Sequence, residues 1–143
     1  MTGYHLEDGR VKYDPDCLAT RFNIESIAFD RFNSSQCVLN LAADGITMSP
    51  YGQGFVSMSA PSKELERLMS EGRLLHGGCP VMRWMFGNVV LSMDPSANIK
   101  PNKEKSGEKI DGVVALVMAI GQAMTDQQAT PNSIPDNYTI RSL

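Results

Sequence analysis

Lys100-Pro-Asn-Lys-Glu-Lys-Ser-Gly-Glu-Lys-Ile-Asp-Gly-Val-Val-Ala-Leu-Val-Met-Ala-Ile-Gly-Gln-Ala-Met124 runs a polar, lysine-rich loop straight into an apolar segment. Ile110, Val113, Val114, Val117, Gly121 and Met124 recur at helical spacing. Ala115, Leu116, Met118 and Ile120 fill most of the remaining circumference. A helix apolar on nearly every side is either buried or in a membrane. This run falls short of the roughly 20 residues a membrane span needs, so burial is expected. Asp111 is the exception, a carboxylate in the first helical turn beside Gly112. The helix dipole stabilises a negative charge there. The same position also suits a metal ligand held rigidly at the mouth of a site. Lys100, Lys103, Lys105 and Lys109 precede or flank it, where a phosphate backbone could pass. Glu104 and Glu108 offset part of that charge, as in an ordinary solvated loop.

Working outward, the bulk composition narrows the function classes. The chain has 143 residues and a net charge of −3, enough for one domain and too acidic for a broadly basic nucleic-acid binder. Any DNA contact therefore rests on local basic patches. Cys17, Cys37 and Cys79 are scattered, with no closely spaced pair, which suits a reducing cytoplasm better than a disulfide framework. His76 and Cys79 are close in sequence, yet a Cys/His nucleophile pair is a spatial arrangement and this spacing is poor evidence for one. Structural zinc needs clustered ligands, and these histidines and cysteines are not clustered. No phosphate-binding GxxxxGK[ST] loop is present, nor any signal-peptide pattern.

Along the chain, Asp8-Gly9 marks a turn before a short strand at Arg10–Tyr13, and Asp14-Pro15 opens a short helix. Ile24 to Asp30 reads as a strand, Asn33 to Gly45 as a helix and Ile46 to Ser49 as a strand, the sign of a parallel pair in an α/β sheet. Residues 50–61 read as a surface loop, with Ser62 capping a helix whose buried stripe is Leu65, Leu68 and Met69. Pro80 opens another helix, with Val81, Trp84, Met85 and Asn88 on one side, and Met82, Trp84, Met85 and Phe86 read as core packing rather than a cofactor box. A hairpin turns at Asp94-Pro95-Ser96. The domain is expected to occupy residues 1–124, with 125–143 a loose tail rich in Gln, Pro and Asn. Asp30, closing a strand before a helix, sits at the sheet edge where α/β proteins bind ligands. Asp30 and Asp111 with a basic loop make a candidate Mg²⁺ or Mn²⁺ site. Arg83 is a further phosphate candidate.

Four stretches together resemble the C-terminal nuclease domain of the large terminase subunit of tailed bacteriophages. They are Ile27–Phe32, Gln53–Ser59, His76–Met85, and Asn98–Lys105 continuing through Lys109–Ala115. The resemblance implies an α/β fold of the RNase H-like class. It implies metal-dependent endonuclease cleavage of phage DNA during head packaging in the bacterial host cytoplasm, using two Mg²⁺ or Mn²⁺ ions. Double-stranded DNA, the small terminase subunit and the capsid portal would be the partners, with no membrane involved. By the same resemblance Asp30 matches the family's middle catalytic acid and Asp111 its last, both as metal ligands. Cys79 stands where the family has asparagine. The family's initial β-meander, with its first acid, and its ATPase domain are expected upstream of Met1. The expectation is therefore an incomplete nuclease domain, from a truncated or prophage-remnant gene. The alternative is a non-catalytic DNA-binding or assembly module of terminase origin.

Overall fold

In a computed structural model, which describes residues 4–7, 10–13, 22–31, 35–75 and 77–129, local sequence signals become a mixed α/β arrangement. Strands β1 (Tyr4–Glu7) and β2 (Arg10–Tyr13) pair antiparallel, and the expected turn at Asp8-Gly9 lies outside the described residues. Only the second of these was legible as a strand. The expected helix after Pro15 and the capping residue Asn33 lie outside the described residues. Strand β3 (Ile27–Phe29), helix α1 (Ser35–Ala43) and strand β4 (Met48–Pro50) form the expected crossover unit. The strands run parallel, with Ile27 opposite Met48 and Phe29 opposite Pro50. Gly45, at φ 84°, ends α1: its N–H reaches the Ala42 carbonyl and that of Ile46 reaches Leu41. This pair of bonds needs a left-handed residue at its corner, which glycine adopts without a Cβ clash.

Helix α2 (Phe55–Ser70) corrects the expectation of a loop reaching to residue 61. Ser62 is not a cap; it lies within α2, its hydroxyl buried and without a hydrogen-bond partner. Pro61 lies inside α2, where proline removes the N–H that would reach the carbonyl four residues back. That carbonyl belongs to Ser57, and the Tyr51 hydroxyl donates to it at 2.9 Å. A side chain from outside the helix thus satisfies the group that proline orphans.

Helix α3 (Pro80–Asn88) begins at its proline, as expected. Met82, Met85 and Phe86 pack on the core as expected, whereas Trp84, also expected there, is 48% exposed, and Val81 on the same side is 56% exposed. Met69 of α2 is likewise exposed, whereas Leu65 is buried. Strands β5 (Leu91–Met93) and β6 (Ile99–Pro101) form the expected hairpin. The Asp94 carboxylate accepts the N–H groups of Ser96 and Asn98 in its turn.

Helix α4 (Asp111–Ala129) is the organising element. It runs five residues beyond Met124, where the tail was expected to start. Ile110, Val113, Val114, Val117 and Met118 bury against Met58 and Leu65 of α2, forming the core. Ala28, Tyr51, Met82, Met85 and Phe86 pack around it. Ala115 and Ala119 remain exposed, so the helix is buried on most but not all of its circumference. Among the described residues no helix is long and apolar enough to cross a membrane.

Candidate functional site

The sequence placed its chemistry at the start of α4 and the end of β3. At the start of α4, Asp111 is the first helical residue and its side chain is 60% exposed. The Lys103 ammonium stands 2.7 Å from its Oδ1. The hydrogen bond and charge of Lys103, with a smaller contribution from Lys109, hold the Asp111 carboxyl below the usual carboxylate range. The loop therefore folds back so that one lysine of the cluster faces the candidate acid.

The remaining cations divide. Lys100 is committed to packing: its ammonium donates to the Gln53 carbonyl at 3.2 Å and lies 5.2 Å from the centre of the Phe55 ring. It ties β6 to the start of α2 and is less available to DNA than its neighbours. Lys105 and Lys109 are exposed in the loop, and Arg83 is exposed on α3. Lys103, Lys105 and Lys109 belong to the stretch that leads into Asp111, so they share its end of the molecule.

Asp30, half-buried after β3, lines an open groove of about 850 Å³. Tyr51, Gly52, Gln53, Gly121 and Thr125 line it too. The groove therefore borders the second half of α4, and Asp111 is not among its lining residues. Asp111 precedes Gly121 by ten positions, about 15 Å of helix at 1.5 Å per residue. The structure thus brings the lysine loop to Asp111 and leaves Asp30 in the groove further along α4.

This geometry bears on the implied Mg²⁺ or Mn²⁺ ions. Two-ion phosphoryl chemistry needs metals roughly 3.5–4 Å apart, bridged by oxygen ligands. Among the described residues no group of three or more His, Cys, Asp or Glu side chains is placed to hold an ion. Asp111 already has a lysine as counter-charge. The described residues do not by themselves fit a two-ion centre. His76 lies outside them, so the Cys/His alternative has only Cys79 on view, exposed at the start of α3.

Sequence reading missed three residues that shape this region. Tyr51 bridges the groove to α2, Asn102 and Ser106 build the lysine loop, and none carries a motif. The one usable signal was an Asn and a Ser bracketing the lysines, residue types that bond to nearby backbone.

Residues 8–127 match the family model described as terminase large subunit, endonuclease domain. Protein YmfN of Escherichia coli K12 is 39% identical over 117 residues, covering 80% of this chain and 26% of the relative. The large terminase subunit of Enterobacteria phage HK97 is 38% identical over 104 residues, covering 71% of this chain and 21% of the relative. That of Lactococcus phage p2 is 33% identical over 132 residues, 86% and 22% of the two lengths. The crystal structure of the HK97 large terminase superposes with a TM-score of 0.69 at 35% identity, over 76% of this chain and 23% of that one. This chain therefore spans about a quarter or less of the length of these relatives.

Proposed function

The chain belongs to the terminase large subunit endonuclease-domain family, and from that premise we propose that it is part of a metal-dependent nuclease that hydrolyses phosphodiester bonds of double-stranded DNA during phage genome packaging. The observation that carries this reading is the family match across residues 8–127, which includes both Asp30 and Asp111. On this reading the parallel pair β3 and β4 belongs to an RNase H-like fold, and the work is done in the cytoplasm of a bacterial host. The small terminase subunit and the capsid portal are the assembly partners.

Each residue has a limited task. Asp111, exposed on a helix N-terminus, and Asp30, in the groove, each offer one carboxylate for Mg²⁺ or Mn²⁺. Further ligands come from outside the described residues, because a single carboxylate leaves Mg²⁺ mostly hydrated. Lys103, Lys105 and Lys109, with Arg83, neutralise backbone phosphates, while Lys100 chiefly holds the loop's base. A second reading, a DNA-binding or assembly module that does not cut, is favoured by the placement of Asp30 in a groove that Asp111 does not line.

Nicking of supercoiled plasmid in Mg²⁺ or Mn²⁺, with a chelator control, separates the two. The chain alone is expected to leave the plasmid intact. A chimera in which it replaces its counterpart in the HK97 terminase is expected to nick. Asp30→Asn or Asp111→Asn in that chimera should abolish nicking without unfolding it, since asparagine keeps the shape and loses the charge. A chimera that folds, binds DNA and never cuts would establish the second reading. Wild-type nicking by the Asp111→Asn chimera would remove Asp111 from the chemistry.

A further inference from the structure

Residues 103–105 are all exposed, yet the loop that carries them is tightly bonded. The Asn102 N–H donates to the Val90 carbonyl at 2.9 Å, and the Val90 N–H donates to Ser106 Oγ at 3.1 Å. Ser106 Oγ in turn donates to the Asn102 carbonyl at 2.6 Å, closing the loop on itself. The Asn102 side chain works in both directions. Its Nδ2 donates to Ser92 Oγ at 2.6 Å, fixing it to β5. Its Oδ1 accepts the N–H groups of Glu104 at 2.9 Å and Lys105 at 3.0 Å. Ser106 is only 8% exposed, so its bonds are shielded from water.

Ordering a segment costs roughly 1–2 kcal/mol of backbone entropy per residue. Burial offsets that cost in a core, but here only Ser106 is buried, and residues 103–105 stay exposed. The sensible return is a ligand that meets side chains already in place. We propose that Asn102 and Ser106 are positioning residues for phosphate contact: they order the loop before DNA arrives, setting Lys103 at Asp111 and presenting Lys105 beside it. Neither residue need touch DNA. The inference rests on the DNA-binding reading given above and adds the means by which the lysines act together.

Positioning and contact have different signatures in the salt dependence of binding. Removing a lysine that meets phosphate lowers the slope of log affinity against log salt by about one. Removing a positioning residue leaves the number of phosphates neutralised unchanged. It lowers affinity at every salt concentration, here by roughly three- to tenfold for loss of pre-ordering. The experiment measures binding of a fluorescent duplex oligonucleotide by the full chain across a salt series, alongside ¹⁵N relaxation of the loop amides. In the wild type, Lys103, Glu104 and Lys105 should be as rigid as Ser92. Asn102→Ala and Ser106→Ala should make them mobile and shift the salt plot downward in parallel. Lys103→Ala with Lys105→Ala should flatten the plot by about one to two units. Asn102→Ser should recover part of the affinity, because a serine hydroxyl makes the same turn more weakly.

Rigid amides in Asn102→Ala, unchanged affinity, or a slope change like that of the lysine variants would each overturn the positioning role while leaving DNA binding intact. A rigid loop in a wild-type chain without salt-dependent DNA binding would instead overturn the DNA reading, and the phosphate role of the loop with it.

Discussion

Gly112 and Gly121 lie on the same helix, and each is pressed by a neighbour, but the neighbours differ in kind. At the start of α4, a Cβ on Gly112 would meet Met85 Sδ at 2.8 Å and Met82 at 3.6 Å. Those are the far ends of flexible thioether side chains, which can swing aside. Further along, a Cβ on Gly121 would overlap the Tyr51 hydroxyl and come within 2.6 Å of its ring carbon Cζ. Tyr51 cannot swing aside freely, because its hydroxyl is bonded to the Ser57 carbonyl beneath Pro61. The end of α4 with the exposed acid and the lysines is therefore adaptable at its surface. The half that borders the groove is locked to α2.

The strongest test of this contrast is Gly121→Ala. Alanine ordinarily improves a helix interior by up to about 1 kcal/mol. Here overpacking and displacement of Tyr51 should outweigh that, giving a net loss of about 2–3 kcal/mol in denaturant unfolding. A gain in stability would mean that Tyr51 is not fixed.

Next in size is Tyr51→Phe, expected to cost about 1–2 kcal/mol by leaving the Ser57 carbonyl without its donor. The loss should shrink in a Pro61→Ala background, whose restored backbone N–H can reach that carbonyl. Equal losses in both backgrounds, read by the same unfolding curves in a double-mutant cycle, would show that the bond does not compensate for the proline.

Gly112→Val should be milder than Gly121→Ala despite the larger side chain, about 1 kcal/mol, because methionines yield. A melting temperature as low as that of Gly121→Ala would erase the difference between the two ends.

The smallest effect belongs to the Asp111–Lys103 pair. Its lowered carboxyl pKa means that the folded state holds the proton less tightly than the unfolded chain. The stabilisation is therefore present above the ordinary carboxylate range and is lost as pH falls through the lower folded value. Because both side chains are more than half exposed, solvent screening limits it to about 0.5 kcal/mol or less. Asp111→Asn should be slightly less stable than wild type near about pH 7 and indistinguishable near about pH 2. A difference that persists in acid would point to packing at Asp111 rather than charge.

Much of the architecture was readable because its signals are local. The all-apolar periodicity of residues 110–124 marked the central helix, and Asp94-Pro95-Ser96 marked the hairpin. Gly45 marked the end of α1 through a conformation glycine adopts readily. The family, too, was legible, since its motifs are written in consecutive residues. Elsewhere local signals pointed the wrong way. The first turns of α2 read as a loop, and the group that compensates for Pro61 within them is on Tyr51, outside the helix. In α3, Val81, Met82, Trp84, Met85 and Phe86 are all apolar, so periodicity left the inward face undetermined. Contact with α4 chose Met82, Met85 and Phe86.

The candidate site divides along the same line. That Asp30 and Asp111 are short acids at element ends, with lysines before the second, follows from the order of residues alone. Chain order also placed Lys103 close enough to Asp111 to pair, because a short loop cannot carry it far. Whether Asp30 and Asp111 share a site depended on how β3 lies against a helix more than eighty residues later. Packing of β3 and Tyr51 along α4 set that relation, and it put Asp30 in the groove beside Gly121 and away from the helix start. Periodicity tells which face of a helix is buried; only the side chains that meet there decide how far along its axis a partner rests.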